Sequence, residues 1–379
     1  MNKINILIFS IVFLFSCEKP VDVDLSNKEN LEKVIESELI INNCPGISYI
    51  VVKEDSVIFS GAKGFANIEN KIPFTTDTRM MIASISKTML PVAIMQLSEK
   101  GLISIDNDIN NYLPFKVKNP NFPEDSITVK MLLTHRSSIT DAAYDNTSFY
   151  IFGYNDYPQP LGEFLEDYLI EGGQYYSEKT FAEYKPGAQY SYSNICAGLL
   201  GYIVEYITQT DYRDYCQQNI FTPLGMTRTS FYYSQTPIEE IATQYVDMNF
   251  QNNINKFLTY PDYPSGHLIT TVTDMSKFMR AFISDGEFNN FKLLTPESVN
   301  LILSEHVIET DLKQGLIFYN LDLYEFNLWG HSGGDPGMST NMGFDLQNKI
   351  GFIVFVNRTN VYPPTLYYSL LKYAKIFNL

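Results

Sequence analysis

The sequence is poor in cysteine, histidine and basic residues, and each shortage excludes a class of function. Its 379 residues include four cysteines and four histidines, with no C-x-x-C pair and no histidine cluster, so neither a zinc site nor a redox motif is supported. Twenty-seven basic residues stand against 43 acidic ones, and the formal net charge of -16 disfavours nucleic acid as a partner. We therefore expect neither a zinc ion nor nucleic acid as a partner, and no cofactor is predicted.

Three of the cysteines, Cys44, Cys196 and Cys216, are predicted to be small buried residues. Two of them could form a disulfide in an oxidising compartment, but the third would then be unpaired. No disulfide framework is therefore predicted.

The N-terminal apolar run, residues 4–15, is shorter than the roughly 20 residues that a transmembrane helix needs. It follows Lys3 and ends just before Cys17, which is typical of a signal peptide covering residues 1–16. A plain secretory signal, with release of the protein, is one interpretation.

The other interpretation is a lipid anchor, because Leu14-Phe15-Ser16-Cys17 resembles a bacterial lipoprotein processing box. The resemblance implies that Cys17 becomes the lipidated N-terminus and that residues 17–30 form a polar tether containing it. We then expect a lipoprotein of the bacterial cell envelope, periplasmic or on the cell surface, with the membrane as a partner.

After residue 30 the chain has no internal repeat and no Pro/Gly/Ser-rich linker, so residues 31–379 are predicted to form one catalytic domain. Hydrophobic periodicity predicts helices and strands. The predicted helices are 31–39, 83–100, 128–133, 161–169, 193–208, 212–220, 273–284, 296–303 and 365–376. The predicted strands are 47–52, 56–60, 316–319, 325–329, 341–345 and 350–356.

This order places strands at both ends of the domain and helices in the middle. It predicts an α+β fold in which an antiparallel sheet is built from both ends of the chain and flanked by helices. The residues at about 103–250 form an inserted, mainly helical lobe, and a cleft between lobe and sheet is the expected active site.

Ser84-Ile85-Ser86-Lys87 lies at the start of a predicted helix, where residues three apart share a face. The Lys87 amine can then accept the Ser84 proton if burial lowers its pKa, and the helix N-terminus favours negative charge on Ser84. The alternative is a helix cap with a solvated lysine.

Tyr192-Ser193-Asn194 gives this pattern a second part. With Ser84 and Lys87, it resembles the motifs of the serine β-lactamase and penicillin-binding family, in the branch of class C β-lactamases and D,D-carboxypeptidases. The resemblance implies a β-lactamase/transpeptidase-like fold, with Tyr192 as a proton shuttle and Asn194 as a substrate-binding residue. A loop tyrosine and a helix cap are the structural alternative.

Gly330-His331-Ser332-Gly333-Gly334 is similar to the Lys/His-Thr/Ser-Gly strand of the same family. The similarity implies that His331, Ser332 and Gly333 bind substrate, and that the N–H groups of Ser84 and Gly334 form an oxyanion hole. The segment also matches G-x-S-x-G, the nucleophile elbow of α/β-hydrolases, but no histidine follows Ser332 and that fold requires one.

The remaining histidines have structural interpretations: His135 as a buried hydrogen-bonding residue, His306 as a surface residue and His267 as a cleft residue. The departures from the family pattern include His267 and Pro91, which lies inside a predicted helix and would bend it unless it falls in the first turns.

These patterns predict a serine hydrolase that forms an acyl-enzyme on Ser84, acting on a peptide, amide or ester. His331 in place of lysine favours a D,D-carboxypeptidase-like enzyme with a peptidoglycan-derived or small-molecule substrate. A β-lactamase and a small-molecule esterase remain open. A catalytically silent penicillin- or peptidoglycan-binding sensor and a structural envelope lipoprotein are the non-enzymatic alternatives.

Overall fold

The structure is a computed structural model that describes residues 24–25, 27–145, 149–246, 253–254, 258–309 and 312–377. The predicted signal peptide and Cys17 lie outside these ranges. No helix within the described ranges combines the length and the hydrophobicity that a membrane crossing requires.

The helices follow the predicted order along the chain. They are α1 Lys28–Ile41, α2 Met89–Glu99, α3 Val129–Leu133, α4 Leu161–Leu169, α5 Asn194–Thr208, α6 Tyr212–Cys216, α7 Val272–Ile283, α8 Pro296–Ile302 and α9 Pro364–Ile376.

The strands are more numerous than predicted, because short pairs occur between the helices. They are β1 Gly46–Lys53, β2 Ser56–Asn67, β3 Ile72–Pro73, β4 Met80–Met81, β5 Ile151–Phe152, β6 Gln244–Tyr245, β7 Asn253–Ile254, β8 Leu258–Thr259, β9 Ile269–Thr270, β10 Glu287–Phe288, β11 Phe291–Lys292, β12 Val307–Glu309, β13 Leu312–Gln314, β14 Tyr319–Leu323, β15 Phe326–Asp335, β16 Met338–Asp345 and β17 Ile350–Val356.

The main sheet has the order β12-β13-β14-β15-β16-β17-β1-β2-β3, and its neighbouring strands are antiparallel. The N-terminal hairpin joins the C-terminal strands where β1 pairs with β17. The α+β fold with a sheet built from both ends of the chain is thereby confirmed.

Both faces of the central strands are covered. Along β1, Ile50 and Val52 pack into the core on one side of the sheet, while Tyr49 and Val51 pack with α1 and α9 on the other. Successive side chains of a strand point to opposite faces, and helices on both faces therefore make β1 almost continuously apolar rather than alternating.

The predicted helix 83–100 is divided into two parts, which corrects the prediction of one helix. Ala83–Thr88 forms a 3-10 helix, and α2 begins only at Met89. Pro91 is the third residue of α2, where a backbone N–H has no partner within the helix, so the proline does not break it.

The predicted strand 316–319 is wrong in its position. Ile317 has φ +68°, a left-handed conformation that an extended strand excludes, and β14 begins only at Tyr319. The strand predicted at 325–329 extends to Asp335, so His331 and Gly334 lie within β15 rather than after it.

Candidate active site

Ser84 lies at the beginning of the 3-10 helix and directly follows a residue in a left-handed conformation. Ala83 has φ +46°, which is uncommon for a residue with a Cβ. The residues around Ser84 are buried, while Ser84 itself remains partly exposed. The turn therefore presents one hydroxyl to solvent from an otherwise closed core.

Lys87 lies one turn further on, and its Nζ donates to Ser84 Oγ at 3.1 Å and to the carbonyl oxygen of Ser265 at 2.6 Å. Its side chain has no exposed surface. Burial lowers the pKa of the Lys87 ammonium to about 8, although the carboxylates of Asp262, Asp141 and Asp335 act in the opposite direction. The amine is therefore available as a proton acceptor at moderate pH.

Tyr192 completes a three-residue group with Ser84 and Lys87. The Ser84 side chain lies beside its hydroxyl and acts to lower the pKa of the phenol, but burial is the larger effect and raises that pKa well above its usual value of 10. Lys87 Nζ lies 5.0 Å from the centre of its ring. The phenol therefore stays protonated, and it can pass a proton without becoming a stable phenolate.

Two neighbouring residues position the segment after Tyr192. The backbone N–H of Ser193 donates to His135 Nδ1 at 3.3 Å. Asp141 accepts from the Ser193 hydroxyl at 2.7 Å and from the backbone N–H groups of Asn194 at 2.7 Å and Ile195 at 3.2 Å. These bonds satisfy the free N–H groups at the start of α5, so the predicted cap and the predicted site coincide.

Strand β15 lies against the 3-10 helix with no room for a side chain at Gly333. A Cβ there would lie 2.2 Å from the Ile82 carbonyl oxygen and 3.1 Å from Ser84 N. The Gly333 carbonyl oxygen accepts from the Tyr362 hydroxyl at 3.3 Å. It also lies 3.3 Å from the Thr340 hydroxyl, whose shorter hydrogen bond is to the Ile82 carbonyl oxygen at 2.8 Å. In a trans peptide the next N–H points the opposite way, so the Gly334 N–H is directed away from these two hydroxyls.

His331 is 4% exposed, and its Nδ1 lies 2.6 Å from the Ser332 carbonyl oxygen. Its ring packs 4.9 Å from that of Tyr319 and 6.5 Å from that of Tyr192. Burial, with the Lys87 charge acting in the same direction, lowers the pKa of His331 to about 3. The imidazole is therefore neutral near pH 7.

Sequence reasoning missed the acidic residues that face this group. Burial raises the pKa of Asp262 to about 6 and that of Asp335 to about 7. Tyr144 donates to Asp262, and Tyr260 donates to Asp335 at 3.3 Å. Asp335 directly follows Gly334, so its position next to a predicted site motif could have indicated that it belongs to the site. No motif lies next to Asp262, and nothing in the sequence indicated its role.

Of the other histidines, His135 packs against the group around Ser84, with its ring centre 4.5 Å from that of Tyr192. His135 is buried and bonds the loop of Ser193, as predicted. His267 is also buried, with Nε2 3.0 Å from the Leu258 carbonyl oxygen. His306 is half-buried and bonds the Leu301 carbonyl oxygen at 2.8 Å. The prediction of a surface residue is therefore corrected, because a ring nitrogen here completes a turn after α8.

The described cysteines Cys44, Cys196 and Cys216 are free and buried, as predicted. The described residues contain no group of three or more His, Cys, Asp or Glu side chains that could hold a metal ion. A cavity of about 250 Å³ lies between α4, α5 and α6, lined by residues that include Glu205, Arg213 and His267. It is separate from the group around Ser84.

The predicted residues Ser84, Lys87, Tyr192, His331 and Gly333 lie close to one another. The arrangement offers a hydroxyl that is hydrogen-bonded to a buried amine and lies beside a protonated phenol, with a close-packed strand next to it. Such a group can form and hydrolyse an ester on Ser84. The structure gives no contact for the Asn194 side chain or for Ser332 Oγ, so their roles stay predictions.

The sequence model of the family described as Beta-lactamase matches residues 31–374. Among curated proteins, the chain is similar to Protein flp of Staphylococcus aureus (strain N315), with 25% identity over 349 residues. The match covers 90% of this chain and 65% of that protein, so the chain spans about two thirds of the relative's length.

Two solved structures show the same fold. The octameric penicillin-binding protein homologue from Pyrococcus abyssi is 24% identical, with a TM-score of 0.71 over 91% of this chain and 77% of its own. The D-amino acid amidase from Ochrobactrum anthropi SV3 is 20% identical, with a TM-score of 0.72 over 91% of this chain and 99% of its own.

Proposed function

Since the chain belongs to the beta-lactamase family of serine hydrolases, we propose that it hydrolyses an amide, peptide or ester through an acyl-enzyme on Ser84. One observation carries the proposal. The buried Lys87 amine is hydrogen-bonded to Ser84 Oγ at 3.1 Å, and its pKa is lowered to about 8 by burial, which suits a general base.

In the first step, Ser84 Oγ attacks the substrate carbonyl carbon as its proton moves to the Lys87 amine. The bond between the carbonyl carbon and the leaving group then breaks, and the leaving group takes a proton through the Tyr192 hydroxyl. Water next attacks the ester carbonyl carbon and gives a proton to the same pair. The bond between that carbon and Ser84 Oγ then breaks, Oγ takes the proton back, and the carboxylic acid product is released.

The developing negative charge on the carbonyl oxygen needs fixed donors. We assign this role to the N–H groups of Ser84 and Gly334. Two observations support the assignment: β15 lies against the 3-10 helix at Gly333, and the Gly333 carbonyl is turned towards Thr340 and Tyr362.

Two finer forms of this reaction are candidates. Tyr192-Ser193-Asn194 and His331-Ser332-Gly333 favour a D,D-carboxypeptidase-like enzyme acting on a peptidoglycan-derived peptide. Hydrolysis of a small amide, ester or β-lactam is the second form, and the shared fold with a D-amino acid amidase favours its amide version. Among these substrates, the D-Ala peptide and the β-lactam carry a carboxylate near the scissile bond, whereas a small amide or ester need not.

The test compares the purified protein with its Ser84→Ala variant on p-nitrophenyl butyrate, nitrocefin and a peptide ending in D-Ala-D-Ala. We expect turnover of at least one of these to fall by about 10⁴-fold or more in the variant. Ser60→Ala, at an exposed serine of β2, is the matched control and should behave as the unmodified protein.

Labelling by a fluorescent phosphonate should depend on Ser84 in the same way. Turnover and labelling that persist in Ser84→Ala would contradict the assignment of the nucleophile. The absence of both in the unmodified protein would instead favour a silent binding protein.

A further inference from the structure

We infer that the substrate presents a hydrogen-bond donor, best an ammonium group, to an acceptor wall formed by His331, Asp262 and Asp335. This makes aminoacyl amides or esters the substrate class and disfavours acyl compounds with a nearby carboxylate. The inference rests on the proposed function, because it concerns the same cleft.

The first step concerns the tautomer of His331. Its Nδ1 lies 2.6 Å from the Ser332 carbonyl oxygen, and a carbonyl oxygen can only accept, so Nδ1 must carry the proton. Nε2 is therefore a lone-pair acceptor in a neutral ring. It is buried without a hydrogen-bond partner, and burying a polar atom in this state is costly. A donor on the substrate would satisfy it, whereas a carboxylate would not.

The second step concerns charge. Asp262, Asp141 and Asp335 all act on Lys87, and Lys87 is the cation that acts on Asp335. Three carboxyl groups thus lie near a single cationic side chain, and a fraction of Lys87 is the neutral amine because its pKa is about 8. Asp262 is 1% exposed, and its Oδ2 has no hydrogen-bond partner. The residues around Lys87 therefore include an excess of acceptors, and their net charge becomes negative as the pH rises above the raised pKa values of Asp262, about 6, and Asp335, about 7.

The third step concerns the aromatic side chains beside the carboxylates. Tyr150 and Tyr260 meet edge to face, with ring centres 5.8 Å apart, and Tyr260 donates to Asp335. The charges of Asp335 and Asp262 both act on the Tyr150 hydroxyl. Tyrosine faces attract a cation, so rings and carboxylates favour the same kind of ligand.

The wall therefore separates the candidate substrates by the charged group that lies near the scissile bond. A peptide ending in D-Ala and a β-lactam both carry a carboxylate near the scissile bond, and the acceptor wall offers that group neither a cation nor a donor. An aminoacyl amide or ester presents an ammonium in its place, and both the charge and the unpaired acceptors then become complementary.

The test uses alanine p-nitroanilides, in the D and L forms, that differ only at the amino nitrogen: free ammonium, N-acetyl and N-succinyl. We expect kcat/KM to fall in that order, by about tenfold at each step at low ionic strength. Added salt should reduce the differences, because it screens charge.

Asp335→Asn should reduce the ratio of kcat/KM for the ammonium substrate to that for the N-acetyl substrate. Glu163→Gln, at an exposed residue of α4, is the charge-matched control and should leave the ratio as it is. Alanine amide should also inhibit competitively at lower concentration than N-acetylalanine.

The two proposals fail in different ways. Ser84-dependent turnover with a preference for the N-succinyl substrate, or with no charge preference, would overturn the acceptor wall and leave the acyl-enzyme intact. Turnover that does not depend on Ser84, or that is absent for esters and anilides alike, would overturn the proposed function itself.

Discussion

At the scale of single residues, the site depends on a lysine that the fold keeps away from water. Lys87 has no exposed surface, and an ammonium without water is destabilised relative to the neutral amine. The hydrogen bonds to Ser84 and to the Ser265 carbonyl hold the nitrogen in place in either protonation state. The energetic cost of burial thus makes the amine less basic, so that a larger fraction of it is neutral and able to accept the Ser84 proton.

A pH profile tests this account of Lys87. Because the pKa is lowered from 10.5 to about 8, the active neutral amine is the minor form at pH 6.5 and the main form above pH 8. We expect kcat/KM for an uncharged ester to rise with pH through about 8 and then to level off. A rate that is flat between about pH 6.5 and 9.5 would rule out Lys87 as the base.

The Lys87→Met variant gives the thermodynamic control for the same prediction. The unfolded chain binds the proton more tightly than the folded one, so at pH 7 the shift lowers the free energy of unfolding by up to about 3 kcal/mol. We expect the variant to lose activity and to melt at a higher temperature. Its stability advantage should shrink as the pH rises from about 8 to 10.5.

At the scale of elements, the cleft is made where three short segments meet: the 3-10 helix Ala83–Thr88, the start of α5, and β15. The start of α5 is fixed by Asp141, which is 53 residues away along the chain and accepts the Asn194 N–H at 2.7 Å. Burial raises the pKa of Asp141, and its hydrogen bonds oppose that shift. A carboxylate here caps the helix, and because its partners directly follow Tyr192 we expect it to position Tyr192 as well.

Asp141→Ala should therefore affect stability and catalysis together. We expect the loss of about 1 to 2 kcal/mol in the free energy of unfolding, as for other lost caps, and a fall in kcat of at least about tenfold as Tyr192 loses its support. Thr295→Ala is the matched control, because Thr295 caps α8 through the Ser298 N–H at 3.2 Å.

In chemical denaturation, Thr295→Ala should lose a similar free energy of unfolding. Its kcat should equal that of the unmodified protein. If Asp141→Ala is destabilised to the same extent as Thr295→Ala but keeps full kcat, then Asp141 is a structural cap and does not position Tyr192.

At the scale of the whole molecule, the site exists because both ends of the catalytic domain enter one sheet. Strand β1 pairs with β17, β17 pairs with β16 and β16 with β15, which carries His331 and Gly334. α1 and α9 pack together over the outer face of the sheet. α1 begins at Lys28 on the face that carries α9.

We propose that Cys17 is lipidated and holds the enzyme in the bacterial cell envelope, so that it acts at the membrane surface. Expression of the full chain with a radiolabelled fatty acid should label the protein and place it in the membrane fraction. Cys17→Ser should abolish the label and release the protein, with kcat unchanged. Equal labelling of both forms would contradict the anchor, and Cys44→Ser is a control that should keep the label.

Much of the fold was predictable because hydrophobic periodicity is a local property. The helices near 161–169 and 365–376 were predicted to within one residue at either end, as was the strand Ile350–Val356. The strand predicted at 316–319 was misplaced because Ile317 adopts a left-handed conformation. Isoleucine rarely adopts this conformation, so nothing in the sequence indicates it. The missed strands β12 and β13 are too short to show a period.

The sequence by itself determined the order of elements, the close spacing of Ser84 and Lys87, and the family, since each of these depends on neighbours along the chain. Tertiary structure alone decided the properties of the site. The lowered pKa of Lys87 comes from burial, and the acceptor state of His331 comes from a backbone geometry. Asp262 and Asp335 matter because folding brings distant carboxylates into one poorly solvated cleft, where charges interact strongly.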